Sequence, residues 1–128
     1  MAETIDRPAD ITALTQRFFA ALEAGDKEAV AACYAPHVGI WHNTDRMVQT
    51  REENLAVLDG FFAVVRDRRY EDVRLVAFPG GFVQQHRLTG TLPDGGTLDW
   101  PACIICQVED GKIVRLDEYM DSAGTPRL

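Results

Sequence analysis

Within "IVRLDEYMDS", residues 113–122, a carboxylate stands in an apolar row. Read as a strand, the segment puts Val114, Leu116 and Met120 on one side with Glu118. Ile113, Arg115, Asp117, Tyr119 and Asp121 take the other. A carboxylate among apolar neighbours is costly unless paired or protonated. Glu118 is therefore the first candidate for acid–base chemistry, able to abstract a proton or activate a water. His42, in the segment 37–43, titrates near neutral pH and can shuttle a proton. Arg87 can hold Glu118 ionised, or bind an enolate or carboxylate. Asn43 can hydrogen-bond a water or carbonyl. Trp41, Trp100, Tyr34, Phe62 and Met120 can wall a site for a ring-containing ligand. These types together fit cofactor-free proton transfer beside a carbonyl: isomerisation, aldol-type cyclisation or dehydration. Hydration or hydrolysis comes second. The plainer alternative is a structural His42 and a buried Glu118–Arg87 ion pair.

Other chemistries lack their residues. Neither "PGG" at 79–81 nor "PDGG" at 93–96 is a phosphate-binding loop; both read as hairpin turns. Cys103 and Cys106 have Cys-x-x-Cys spacing, but residues three apart on a strand point to opposite faces. No second pair or His cluster completes a zinc site, so no metal and no cofactor are expected. Cys33 makes the cysteine count odd, which argues for reduced thiols. His37 and His86 read as surface or interface residues. A net charge of −7 disfavours nucleic acid and anionic membranes as partners. No apolar run approaches the ~20 residues that span a bilayer. The polar start "MAETIDRPAD" has no secretory apolar core, so a cytoplasmic location is the expectation.

The elements that must position these residues are legible in outline. Residues 1–9 read as a flexible tail. Asp10 is placed to cap a helix with the stripe Ile11, Leu14, Phe18 and Leu22, widened by Phe19 and closed by Gly25. Asp26 caps a shorter helix carrying Val30, Cys33 and Tyr34, stopped by Pro36. A short strand follows at 37–43. Thr50 and Glu53 form a capping box for a helix whose broad face is Leu55, Leu58, Phe61, Phe62 and Val65. From about residue 69 the period shortens to two. Strands are predicted at 70–78, 82–92, 97–108 and 112–121, joined as antiparallel hairpins. Helices first and a sheet after make an α+β domain over 10–122, with a C-terminal tail at 123–128. A curved sheet wrapped by three helices leaves a cone-shaped, apolar cavity. Leu98, Trp100, Ala102 and Ile104, with Val114, Leu116 and Met120, are expected to build its wall. The second long strand is ambiguous: pattern alone turns Leu88 and Leu92 inward, and the opposite register turns Arg87 inward. Cys103 and Ile105 leave the outer sheet face partly apolar, which predicts a face-to-face homodimer.

The element order, with "YAPHVGIWHN", "TREENLAVL" and "DGKIVRLDEYMD", resembles the nuclear transport factor 2-like superfamily. Within it the chain looks most like the SnoaL-like group, whose relatives include polyketide cyclases, limonene epoxide hydrolase and ketosteroid isomerase. The resemblance implies a cone-shaped mixed or antiparallel sheet and a pocket for a small hydrophobic molecule. In the cyclases and the epoxide hydrolase, an acid three residues before the closing Asp acts as base; that position is Glu118. The hydrolase's organising Arg matches Arg87, which favours the inward register. Its proton-donating acid, two residues on, is Thr89 here. The isomerase's proton-shuttling carboxylate matches His42. The superfamily also has non-catalytic members, so a binding or interaction module is the alternative.

Overall fold

The computed structural model describes residues 5–121 and 123. The expected tail segments 1–4 and 124–128, and Ser122, lie outside the described residues. Helix α1 spans Pro8–Ala24, so Arg7 rather than the expected Asp10 stands at its cap, three residues earlier. Pro8 pre-sets the first helical φ, and Asp10 sits in the first turn, where the helix dipole favours an acid. Ile11, Leu14, Phe18 and Leu22 are buried as one stripe. Gly25 ends the helix at φ +70°, a conformation that favours glycine. Asp26 then caps α2 (Lys27–Cys33) by accepting from the Ala29 N–H. Residues 5–9 are not a free tail. The Asp6 carboxylate accepts the N–H groups of Asp110 and Gly111 at 2.9 and 2.7 Å, and its carbonyl accepts from Gly80.

Strand β1 (Tyr34–His42) begins directly after α2, so Pro36 lies within it rather than stopping the helix. Pro36 falls in an irregularity of the β1 ladder, where its missing N–H costs no strand pairing. β2 (Val48–Gln49) was not predicted. Helix α3 (Arg51–Val64) carries the complete Thr50–Glu53 capping box. Four long strands follow: β3 (Arg66–Phe78), β4 (Gly81–Thr91), β5 (Thr97–Glu109) and β6 (Lys112–Met120). The open sheet has the order β2-β1-β6-β5-β4-β3. β1 and β6 run parallel; the other neighbours are antiparallel. The mixed α+β architecture is the expected one.

Two register breaks in β3 coincide with Asp67 and Asp72, at φ +53° and +54°. Bulges of this kind bend a strand and sharpen its twist. Another break gives β6 an extra residue, Val114, between Ile113 and Arg115. This corrects the expected alternation: Ile113 is fully buried, Val114 only partly, and strict inward alternation starts at Leu116. On β4, Phe82, Gln84, His86, Leu88 and Gly90 face inward. A Cβ on Gly90 would collide with Val65, so that crossing requires glycine.

The main core lies between α1, α2 and the sheet, with a smaller cluster of Val65, Leu88, Leu92 and Leu98 at the other end. Arg68 joins the helix ends. Its buried guanidinium donates to the carbonyls of Leu22, Glu23, Phe62 and Val65 and lies 4.7 Å from the Phe62 ring centre. These carbonyls lie at the ends of α1 and α3, where the helices run out of N–H partners; Leu22 also accepts the Gly25 N–H. Along α3 itself only Asn54 is buried, because beneath this helix lies space rather than packed core.

Candidate functional site

That space is a cavity of about 420 Å³, bounded by α1, α3 and the inner sheet face. Its walls are mostly apolar and aromatic, including Phe18, Phe61 and Trp100. His42 and Glu118 lie on the wall, and no Lys or Arg lines it. The parallel ladder sets His42 directly beside Glu118. His42 Nε2 is 3.1 Å from Glu118 Oε1, with the side chains 19% and 14% exposed. Asn43 locks this register. Its N–H donates to the Glu118 carbonyl, and its side-chain amide bonds both the N–H and the carbonyl of Met120. Asn43 is thus spent on the backbone and does not line the cavity, contrary to its expected role.

Burial pushes the His42 pKa down. The hydrogen bond and charge of Glu118, with Asp45 assisting, outweigh that and leave it raised above the usual histidine value. The pair therefore holds a proton more readily than a free imidazole would.

Two tyrosines line the same cavity and differ in one respect. The Tyr34 hydroxyl donates to Asn54 Oδ1 at 2.9 Å, and Asn54 Nδ2 donates to Gln49 Oε1 at 3.0 Å. This chain ties the start of α3 to the sheet. The Tyr70 hydroxyl makes no hydrogen bond to any described residue. Burial lifts the pKa of both tyrosines, and Glu118 adds to the rise in each. Tyr70 was missed in the sequence because two bulges decide where β3 side chains point. Asn54 was hidden inside a helix start. Phe61 stood in the sequence only as one member of the broad apolar face of α3.

Of the expected residues, His42, Glu118, Tyr34, Trp100 and Met120 meet at the cavity. The others do not. Arg87 projects from the outer sheet face, where it bridges Asp99 at 2.7 Å and Asp72 at 3.0 Å. Both carboxylates raise its pKa, and Arg87 in turn lowers that of Asp99. The inward register is thereby corrected: Leu88 takes the inner face, and Arg87 satisfies two acids outside. Thr89 shares the outer side, near Arg69 and Asp99. Trp41 also faces out, against Tyr119 with ring centres 5.1 Å apart. Phe62 packs beneath Arg68, and Phe61 takes the wall position, stacked on Trp100. His86 is buried rather than superficial. Its Nδ1 lies 3.1 Å from Gln84 Nε2, its ring stands edge-on to Tyr70, and burial lowers its pKa.

The cysteines are free. Cys106 is buried and Cys103 half-buried on the opposite face. Among the described residues no cluster of three metal-ligating side chains exists, and no helix is long and apolar enough to cross a membrane.

A fold of this shape has many solved counterparts. A protein from Xanthomonas campestris pv. campestris, assigned as a polyketide cyclase, superposes with a TM-score of 0.80. It is 22% identical, over 91% of this chain and 93% of that one. AclR from Streptomyces galilaeus, assigned as a hydroxylase, gives a TM-score of 0.81 at 16% identity, over 91% and 92%. A hypothetical protein with a ketosteroid isomerase-like fold from Catenulispora acidiphila, solved in complex with trimethylamine, gives 0.73 at 11% identity, over 83% of each chain. At these identities the likeness shows the fold alone. No curated protein matches the sequence. The family model described as the SnoaL-like domain matches residues 15–116. With that match across most of its length and the matching architecture around it, the chain belongs to the SnoaL-like domain family.

Proposed function

We propose that this protein is a cofactor-free acid–base catalyst acting on a small hydrophobic carbonyl compound. One observation carries the reading: a carboxylate oxygen 3.1 Å from an imidazole nitrogen on the wall of an otherwise apolar cavity. The volume falls within the ~300–1,000 Å³ common for small-molecule sites. Glu118 takes a proton from the carbon beside the carbonyl. The C–H electron pair moves into a new C=C bond, and the carbonyl π pair moves onto oxygen as an enolate. His42 holds the carboxylate through Nε2 and, when protonated, supplies a proton to the collapsing intermediate. Reprotonation elsewhere is isomerisation; attack on a second carbonyl is aldol-type cyclisation. The polyketide cyclase assignment of one fold neighbour agrees with this class of reaction.

The test is hydrogen–deuterium exchange. Cyclohexyl methyl ketone in D₂O, followed by NMR, is expected to lose its proton beside the carbonyl faster with wild type than with Glu118→Gln. Equal rates for the two proteins would remove Glu118 as base.

A second reading is non-catalytic capture of an alkylammonium ion. Aromatic walls with one carboxylate suit such a cation, and a fold neighbour was solved with trimethylamine. Trimethylammonium binding without ketone exchange would favour it. The reading also includes a homodimer through the outer sheet face, where Val76, Ile105 and Tyr119 are exposed. Ile105→Asp should then lower the mass seen in sedimentation.

A further inference from the structure

The unengaged hydroxyl of Tyr70 has a use that the Glu118–His42 pair cannot fill. An enolate needs a donor at its oxygen as well as a base at its carbon. Glu118 is an acceptor, and His42 Nε2, 3.1 Å from its Oε1, is engaged as the carboxylate's partner. Tyr34 also lines the cavity, but its proton is committed to Asn54. The indole N–H of Trp100 is unpartnered yet sealed from the cavity space by packing. Tyr70 remains. Its ring is fixed edge-on by Phe19 and His86, at 5.0 and 4.7 Å between centres. Its backbone N–H is held by Glu23. A rigid ring with an unsatisfied hydroxyl in an apolar cavity is a preorganised donor.

We propose that Tyr70 is the residue that receives the substrate oxygen, and that the cavity selects neutral carbonyl compounds against carboxylates of the same shape. The selection follows from the lining. A ligand anion would enter beside the Glu118 carboxylate with no Lys or Arg to offset it, and the one basic side chain on the wall, His42, is already paired with Glu118. Tyr70 stays protonated in its buried setting, so it donates throughout the working pH range. This inference rests on the acid–base reading above, and it deepens it by naming the oxygen site and the charge class of ligand.

Three probes of one shape test it: cyclohexyl methyl ketone, isopropylcyclohexane and cyclohexanecarboxylate. Calorimetry should give the ketone at least tenfold tighter binding than the carboxylate. Tyr70→Phe should weaken the ketone about 3- to 10-fold, the loss expected for one hydrogen bond, and leave the hydrocarbon unchanged. The unchanged hydrocarbon also certifies that the variant is folded. Infrared spectra should show the bound carbonyl stretch lowered in wild type, Tyr34→Phe and Glu118→Gln, and returned upward in Tyr70→Phe. A stretch that ignores Tyr70→Phe, or moves with Tyr34→Phe instead, overturns the assignment. So does carboxylate binding as tight as the ketone's. The two readings separate cleanly. Glu118-dependent exchange with a Tyr70-independent stretch sinks this inference alone. A Tyr70-dependent stretch without exchange sinks the catalytic reading alone. No ketone binding sinks both.

Discussion

The 3.1 Å contact between His42 and Glu118 should be measurable as a coupling energy whose size falls as pH rises. The perturbation is a double-mutant cycle with His42→Phe and Glu118→Met, which remove the polar atoms while keeping much of the volume. Both side chains are less than one-fifth exposed, so water screens their interaction poorly. A hydrogen bond involving a charged group contributes roughly 1.5–3 kcal/mol, and about 2 kcal/mol of coupling is expected near pH 5.5. The sign follows from the direction of the shift. His42 has a folded pKa above its unfolded value of about 6.5. Its contribution is fully present below ~6.5 and is lost as pH rises through the raised folded value. Well above that raised value only a neutral imidazole beside a carboxylate remains, and the coupling should be about half as large. Urea unfolding of the four proteins at both pH values reads this directly. Coupling below about 0.5 kcal/mol at pH 5.5, or coupling that grows with pH, would refute the argument.

Arg68→Met should cost about 3 kcal/mol in urea unfolding, because it strips a buried charge-assisted cap from the ends of two helices. Tyr34→Phe should cost about 1–2 kcal/mol by leaving the Asn54 amide oxygen short of a donor, a loss that Asn54→Leu in the same background should partly recover. Gly90→Ala should lower stability by about 1–3 kcal/mol through its clash with Val65, and Gly90→Ala with Val65→Ala should regain part of it. Arg87→Ala should leave ketone exchange at the wild-type rate, since its partners Asp72 and Asp99 are on the outer face; a large loss would return Arg87 to the site.

Local signals in the sequence translated well into structure. The Thr50–Glu53 box, the Asp26 cap and the Gly25 terminus each depend on one or two residues and their own backbone. Signals that need a count along a strand did less well. Trp41, His42 and Asn43 are consecutive, and a period of two lets only His42 face the cavity. Phe61 and Phe62 are about 100° apart on a helix, so one walls the cavity while the other meets Arg68. Val114 adds a residue that no alternation pattern contains. For Arg87 the apolar pattern of Leu88 and Leu92 was the sounder guide than the likeness to the hydrolase. Register answered to the acids at 72 and 99, which sit within reach on neighbouring strands. Tyr70 and His86 were out of view because their orientation depends on the bulged path of an edge strand and its partner.

The parallel seam between β1 and β6 has a consequence for how the molecule is made. It is where strands distant in the chain meet, and it joins residue 42 to residue 118. The β3–β6 hairpins can zip locally, as can the helical half, but the acid–imidazole contact waits for the longest loop closure in the sheet. The pairing of Glu118 with His42 is then a property of the fully paired sheet. A polypeptide still lacking its last strand has the imidazole without the acid. Proton affinity at His42 becomes an internal marker of completed topology, rising only when the two ends of the sheet's sequence have been sewn together.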